Sequence, residues 1–413
     1  MSENIIAKLR ERGFIQQLSH PDEIEQLFAR ERVTCYVGID PTAESLHIGH
    51  FLPIMMMKHL QQAGHRPLIV VGGGTVMAGD PSGKTEMRSL ISEEEIDKNK
   101  VGLRAQLSRF LDFSEGEAVL LDNADWLMPL NYIKFLREIG AHFSVNRMLQ
   151  AEAYKARMER PEGGLSFIEL NYMIMQSYDF LMLYRKYGCK VQLGGDDQWS
   201  NILSGADLVR RMDRGEAHAM TLPLLLTSDG RKMGKTEAGA IWMDPERTSP
   251  YEFYQYFRNV QDDDVARVLR YYTMMPLDEI AELTSVSGSA LNEAKRVLAF
   301  KATEIVHGTQ AAIEAEAAAK ALFSGSGDDS NMPQSAVTEQ QLAEGMATID
   351  ALVLCGLCAS KSEARRLIQQ NGLTVNGEKS SDITHTLGLG DVQNGKIVLR
   401  KGRKDFHALV VQG

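Results

Sequence analysis

Over the first half of the chain, short apolar runs alternate with longer amphipathic stretches. Val33–Ile39, Pro67–Gly74, Ala118–Leu121, Cys189–Leu193 and Leu222–Leu226 are brief and nearly continuous in apolar residues, which predicts buried strands. Between the first two lies a helical stretch that starts near His47, Gly49 and His50 and carries Pro53 in its early turns, where proline costs least. Strand, helix, strand at this spacing predicts a right-handed crossover unit in a parallel sheet, hence an α/β fold. Ile5–Arg12 and Pro21–Arg30 read as covering helices, the second with Pro21 at its first position and acids in its first turn. Ser92–Phe113 reads as a charged helix. Helices predicted over Pro129–Gly140 and Ser144–Arg160 make residues 118–190 look like a helical insertion, which ends with a long helix, Ile168–Tyr187, stopped by Gly188.

Ser249–Phe323 is mostly helical, with an Ala-rich final helix, and residues 324–345 have the Ser, Gly, Asp and Asn content of a linker. A small α+β unit follows, with the helix KSEARRLIQQ and the strands LTVNG and KIVLRKG. The expected division is therefore an α/β domain over 1–226, a polar loop over 227–245, a helical domain over 246–323, a linker over 324–345 and a tail domain over 346–413. No internal repeat is evident.

Three predicted strands end in glycines and carboxylates, at Gly38–Thr42, Gly72–Asp80 and Gly194–Gln198. In open parallel sheets the ligand crevice lies outside those ends, so these edges are expected to line one pocket. His47 and His50 share one face near a helix N-terminus, beside backbone N–H groups, which suits a phosphate. A pair of helix-start histidines without function is the competing reading, and a metal site lacks an evident third ligand. Gly49 leaves room for a flat base to approach the backbone.

Lys232, Lys235 and Thr236 stand in the glycine-rich loop TSDGRKMGKTEAGA, which reads either as a solvated charge cluster or as a clamp for a departing pyrophosphate. Gly79–Thr85, GDPSGKT, looks like a phosphate-binding P-loop, yet it has three residues between its glycines where that loop has four. Tyr172, Gln176 and Asp179 fall at i, i+4 and i+7 of a helix otherwise mostly apolar. A polar stripe on a buried helix faces a ligand cavity or a satisfied network; a solvent-facing stripe is the alternative.

Composition adds bounds. In a chain of 413 residues, 44% hydrophobic and 24% charged, no stretch approaches the roughly 18 apolar residues of a membrane span. The first residues lack a secretory pattern, so a cytoplasmic location is expected. Cys355 and Cys358 form a CxxC without a second pair or a nearby histidine, and two small residues on a buried helical face is the better reading. The net charge is −10, yet residues 346–413 hold nine lysines and arginines against six acids. Such a local basic surplus marks a unit with a different partner.

The segments HIGH at His47–His50 and KMGKT at Lys232–Thr236 resemble the two signatures of class I aminoacyl-tRNA synthetases. YxGxDPTAxSLHIGH from Tyr36, GGxxxxxGDPSGK from Gly72, the Tyr172, Gln176, Asp179 stripe and QLGGDDQW from Gln192 more closely resemble the bacterial tyrosyl-tRNA synthetases. SKSEARRLIQQNGLTVNG resembles an S4-type RNA-binding domain. The likeness spans essentially the whole chain.

The resemblance implies a Rossmann-like catalytic domain, the substrates L-tyrosine, ATP with its Mg²⁺ and tRNA(Tyr), no protein-held metal, and a homodimer formed through the Ala118–Arg160 region. It implies that Tyr36 and Asp179 bind the phenolic hydroxyl of tyrosine and that Asp80, Tyr172 and Gln176 hold its ammonium, with Gln192 and Gln198 nearby. Gly38, Asp40, Gly49, Gly195 and Asp197 are expected at the nucleotide. Thr42, His47 and His50, with the cations Lys84, Arg88, Lys232 and Lys235 and the Thr236 hydroxyl, are expected to act on the phosphates. Lys361, Arg365 and Arg366 are expected to meet RNA. Against the family pattern, Gly234 replaces a serine, Val37 a cysteine seen in some members, and Asp196 a common serine, adding negative charge near the ribose.

Overall fold

The computed structural model describes residues 4–82, 92–159, 164–230, 233–236, 239–324, 333–393, 395–402 and 405–412. The chain separates into two compact units, Met1–Ile313 and Glu314–Gly413. In the first, six strands form one sheet: β1 (Gln17–Leu18), β2 (Thr34–Ile39), β3 (Arg66–Val71), β4 (Val119–Asp122), β5 (Cys189–Gly195) and β6 (His218–Leu222), in the order β1-β6-β5-β2-β3-β4. All neighbours are parallel except β1, which runs against β6. The central parallel strands β2, β3, β5 and β6 are buried on both faces, hence their continuous apolar runs, while the edge strand β4 is only partly buried.

Three boundaries differ from expectation. The last parallel strand ends at Leu222, where it was expected to begin, because Pro223 has no N–H to continue the ladder. Val119–Asp122 pairs with β3 and so belongs to the main sheet, which confines the inserted short helices to the chain after Asp122. The long helix Phe167–Tyr187 is not part of an insertion either: its apolar face packs on the sheet core through Phe180, Leu181 and Leu183. Ser166 and Glu169 exchange hydrogen bonds in a capping box at its start, and Gly188 ends it at φ 61°.

The helical region after residue 246 is no separate body. Arg12, buried in the first helix, donates to the carbonyls of Arg270, Thr273 and Met275, and the Tyr272 hydroxyl donates to the Ile48 carbonyl at 3.2 Å. Phe51 and Tyr272 stack at 5.0 Å. A buried guanidinium on three carbonyls satisfies the end of helix Val265–Tyr272, fixing it beside the helix that starts at Ile48. The division between the units falls inside helix Thr309–Ser324, at Ile313, and not at a linker.

In the second unit, five strands lie in the order Glu378–Ser380, Leu373–Val375, Lys396–Lys401, Asp405–Gln412, Gln334–Thr338, against helices Thr348–Leu354 and Lys361–Gln369. The expected linker is therefore too long. Gln334–Thr338 pairs in parallel with Asp405–Gln412, and Val337 and Leu342 lie in the tail core. Two apolar anchors inside a polar stretch suffice to order it, because edge pairing satisfies the backbone through Thr338 and the capped helix Glu339–Ala343 satisfies it beyond. Cys355 and Cys358 are buried in the same core.

Candidate active site

The strand order reverses between β2 and β5, and a cavity of about 460 Å³ opens at the carboxyl ends of the strands there. Its wall contains every residue expected at the amino acid, Tyr36, Asp80, Tyr172, Gln176, Asp179, Gln192 and Gln198. It also contains Gly38, Asp40, Thr42, His47, Gly49, His50, Gly195 and Asp197, expected at the nucleotide and phosphates.

At the deep end, Tyr36 on β2 stands opposite Gln192 on β5 in register. Both are 2% exposed, and among the described residues neither the Tyr36 hydroxyl nor Gln192 Oε1 has a hydrogen-bond partner. Gln176 Oε1 is buried in the same condition. Leaving a buried polar atom unpaired costs about 1–3 kcal/mol, so several on one cavity wall mark a place where a polar ligand completes the bonding. Beside them, Asp179 accepts from the Trp126 indole at 2.7 Å through Oδ1 and from Asn123 Nδ2 at 3.0 Å through Oδ2. Burial pushes its carboxyl up to about 7; Asn123 and Trp126 pull it down, while Asp40 and Asp122 push it further up. Burial, followed by the charge of Asp179, also raises the Tyr36 phenol well above its ordinary value, so Tyr36 remains a neutral donor.

Farther out, Tyr172 donates to Asp40 Oδ2 at 3.2 Å and Thr75 donates to Asp40 Oδ1 at 3.1 Å. Gln198 donates to Asp80 Oδ2 at 2.9 Å, and the Ser82 N–H donates to its Oδ1. With Asp179 and Asp197, four carboxylates thus line a cavity that a cation would enter. The glycines after β3 make this packing possible. A Cβ on Gly72 would collide with Asp40 Oδ1 and Thr75, and one on Gly73 with Asp122. Asn123 ties the assembly together, accepting from the Gly74 N–H at 2.8 Å while its amide donates to Thr75 and Asp179.

At the outer end, His47 is the N-cap of helix Ile48–Gln62. Its Nδ1 accepts from the Gly49 N–H at 3.0 Å, which assigns the proton to Nε2. The His47 and His50 rings stack at 3.9 Å with 20° between planes. A Cβ on Gly49 would stand 2.7 Å from His47 Cε1, so this glycine makes room for the His47 ring. Above Gly38, by contrast, a Cβ would meet nothing within 4 Å, and the approach of a flat base is open there.

Helix Glu93–Leu107 fastens the loop before His47. Asn99 Nδ2 donates to the Pro41 carbonyl at 2.9 Å, the Leu46 N–H donates to Gln106 Oε1 at 2.8 Å, and Gly102 lies so close to the Glu44 carbonyl that no side chain fits between them. Thr42, inside that loop, is thereby held at the cavity.

The second signature meets the first. Gly234 has φ 80°, a conformation that would strain a serine, and its N–H donates to the Tyr256 hydroxyl at 2.8 Å. Its carbonyl accepts from Ile241, whose own carbonyl accepts from the Ile48 N–H at the helix start. The backbone of Lys235–Thr236 pairs with Gly239–Ala240. Lys84, Arg88 and Lys232 lie outside the described residues.

One expectation is overturned. Asp196 does not line the cavity: it accepts from Gln17 Nε2 at 2.7 Å and Thr221 Oγ1 at 2.9 Å, holding β1 and β6, while Asp197 takes the cavity side. Lys361, Arg365 and Arg366 lie in the second unit, exposed on helix Lys361–Gln369 away from buried Ala364 and Ile368; Lys361 pairs with Asp350 at 2.6 Å. Sequence reasoning missed Asn123 and Trp126, although they follow a strand's carboxyl end just as the three recognised edges do.

Residues 29–324 match the family described as tRNA synthetases class I (W and Y), and residues 327–409 match the tyrosine–tRNA ligase SYY-like C-terminal domain. The chain is 52% identical over 412 residues to a tyrosine–tRNA ligase of Clostridium tetani, covering 100% of both chains. It is 53% identical over 410 residues to one of Clostridium botulinum, covering 99% of this chain and 100% of the relative. A C-terminally truncated mitochondrial tyrosyl-tRNA synthetase of Aspergillus nidulans superposes with a TM-score of 0.70 at 30% identity, over 78% of this chain and 94% of that one.

Proposed function

Given that the chain belongs to the class I tyrosine–tRNA ligases, which activate tyrosine with ATP and charge tRNA with it, we propose a division of labour along its cavity. The tyrosine ring enters between β2 and β5. Its hydroxyl donates to Asp179 and accepts from Tyr36, and its ammonium lies among Asp80, the Tyr172 hydroxyl oxygen and Gln176 Oε1. The observation that carries this reading is the buried, unpartnered Tyr36 hydroxyl beside the buried Asp179 carboxylate. A phenol supplies one donor and one acceptor, and these two groups require one of each.

Adenosine lies over Gly38 with its ribose toward Gly195 and Asp197. The tyrosine carboxylate, ionised at pH 7, attacks the α-phosphorus directly, forming the mixed anhydride while pyrophosphate leaves, so no general base is required. The work is positioning and stabilisation of charge on the phosphates. His47 and Thr42 donate to them, with His50 alongside; Lys84, Arg88, Lys232, Lys235 and Thr236 complete the set, and Mg²⁺ enters as part of the ATP substrate. A hydroxyl of the tRNA 3′-terminal ribose then attacks the tyrosyl carbonyl and AMP departs. Exchange between ATP and pyrophosphate, run in parallel with tyrosine, phenylalanine and tryptophan, tests the assignment. Tyrosine alone should drive it, and exchange driven by tryptophan would refute the hydroxyl pair.

The basic tail and residues 246–313 are proposed to bind tRNA(Tyr), with Arg365 and Arg366 contacting phosphates. A chain ending before Gln334 is expected to keep pyrophosphate exchange within about twofold yet lose tRNA charging roughly tenfold or more, through lost phosphate contacts. Equal loss of both activities would contradict the division. Cutting at Met346 instead would leave Gln334–Thr338 without its sheet.

The apolar side chains of Met128, Tyr132, Ile133, Val145, Met158, Phe167 and Ile168 are exposed by 45–70%. So many within one segment support a self-association surface, hence a homodimer. Sedimentation of the intact chain should give twice the mass of one chain, and Ile133→Asp should shift it toward the monomer. The substrates imply a cytoplasmic location.

A further inference from the structure

At the end of the sheet opposite the tyrosine cavity, β1 brings a histidine to another histidine. β1 runs against β6 with Leu18 facing Met220, and Ser19 continues the pairing by donating its N–H to the Ala219 carbonyl while its hydroxyl accepts from the Ala219 N–H. His20 therefore arrives beside His218, the first residue of β6, with ring centroids 5.7 Å apart. His20 is also the residue before helix Pro21–Arg30, where its side chain makes no capping bond, and Glu23 lies three residues on, on the same face. One ligand atom from each of His20, Glu23 and His218 lies within 4.8 Å of the others, the one such trio among the described residues.

His218 has the environment of a ligand. It is 2% exposed, and its Nδ1 is buried with no hydrogen-bond partner among the described residues. Its Nε2 lies 3.5 Å from Glu216 Oε1, and Glu216 is itself paired with Lys190 through the other oxygen at 3.3 Å. A carboxylate on one ring nitrogen sets the proton there and directs the lone pair of the other outward, the arrangement that orients metal-bound imidazoles.

His218 Nδ1 stands 3.9 Å from Glu23 Oε2. That is beyond hydrogen-bond range, whereas two ligands of a tetrahedral ion at Zn–N and Zn–O lengths sit about 3.4 Å apart. His20 and Glu23 are exposed, so their side chains have the freedom to close the remaining gap.

We propose that His20, Glu23 and His218 form a binding site for a divalent transition-metal ion of the zinc type, completed by water. Two imidazoles and one carboxylate favour Zn²⁺, Co²⁺ or Ni²⁺ over the oxygen-seeking Mg²⁺ and Ca²⁺. The ion clamps the start of helix Pro21–Arg30 to the edge of the sheet, far from the reacting groups, so its role is to stabilise the native fold.

The test is titration of the full chain with ZnCl₂ by calorimetry and with CoCl₂ by visible absorption, together with thermal melting at each metal concentration. The intact chain should bind one Zn²⁺ that raises its melting temperature and give the intense d–d bands of tetrahedral Co²⁺. His20→Ala and Glu23→Gln, both at exposed positions, should each weaken that binding at least tenfold and abolish the melting shift while leaving pyrophosphate exchange intact. Glu216→Gln should weaken it by roughly 10–100-fold through misorientation of His218. Absence of binding would overturn the proposal. So would identical titrations for the intact chain, His20→Ala and Glu23→Gln, because the metal would then be held elsewhere, at the His47–His50 pair or the tail cysteines.

Discussion

Replacing Asp179 with asparagine is expected to lower kcat/KM for tyrosine in pyrophosphate exchange by roughly 10²-fold, about 3 kcal/mol for a buried charge-assisted hydrogen bond, with KM for ATP nearly unchanged. Trp126 and Asn123 each donate to one oxygen of Asp179, so the carboxylate is fixed with its remaining lone pairs toward the cavity. An asparagine there must turn its NH₂ toward one of those donors, and it offers the phenol a weaker acceptor. Phenylalanine makes no such bond: it leaves the Tyr36 hydroxyl buried without a partner and the cavity-facing lone pairs of Asp179 unmet. The variant should therefore exchange phenylalanine as well as the wild type or better, and equal losses with both amino acids would mean that Asp179 merely supports the fold.

The pH dependence provides an independent check on the same residue. The Asp179 carboxyl sits at about 7, and its ionised form is the better acceptor. Wild-type kcat/KM for tyrosine should fall below about pH 7 with a slope near one, whereas the asparagine variant should show no such limb. Linkage has the opposite sign. A carboxyl raised above its unfolded value binds more protons when folded, so its contribution to stability is present below the unfolded value near 3.8 and is lost as pH rises through about 7. The melting temperature of the variant, relative to wild type, should therefore rise between pH 5 and pH 8. The group proposed to select tyrosine would thus cost the fold stability under the conditions in which it works.

Strand-end chemistry was readable because glycines and carboxylates break apolar runs at positions where any parallel sheet puts its crevice. What joins those ends was not readable. Tyr36 faces Gln192 only because β2 lies beside β5, a pairing across more than 150 residues that no local pattern encodes. Asn123 and Trp126 were hidden when β4 was assigned to an insertion, which removed its carboxyl end from the pocket. Asp196 and Asp197 are neighbours of identical chemistry, and only the short turn of Asp196–Gln198 sends the first back to Gln17 and the second into the cavity. In the tail, linker composition outweighed Val337 and Leu342, because two apolar residues carry little local signal although each is 1% exposed. The His20, Glu23, His218 cluster, too, depends on antiparallel pairing between residues some two hundred positions apart.

The other large effect is expected from His47→Asn, which should reduce kcat for tyrosine activation by roughly 10²–10³-fold, the usual loss when one preorganised transition-state donor is removed. Asparagine is among the best N-cap residues, and its Oδ1 can accept from the Gly49 N–H as His47 Nδ1 does at 3.0 Å, so the helix start and the melting temperature should survive. What disappears is the Nε2–H donor, held in place by the stack on His50 and by the edge of Trp242 at 5.9 Å. KM for tyrosine and ATP should move by no more than about twofold, because a donor aimed at charge that develops during the reaction adds little to ground-state binding. Pyrophosphorolysis of enzyme-bound tyrosyl-adenylate distinguishes the possibilities. A group that acts only in the transition state lowers the forward and reverse rates by the same factor and leaves the equilibrium on the enzyme unchanged. If His47 instead held pyrophosphate as product, the two rates would diverge and the affinity for pyrophosphate would fall, and the role assigned to this histidine would have to be given up.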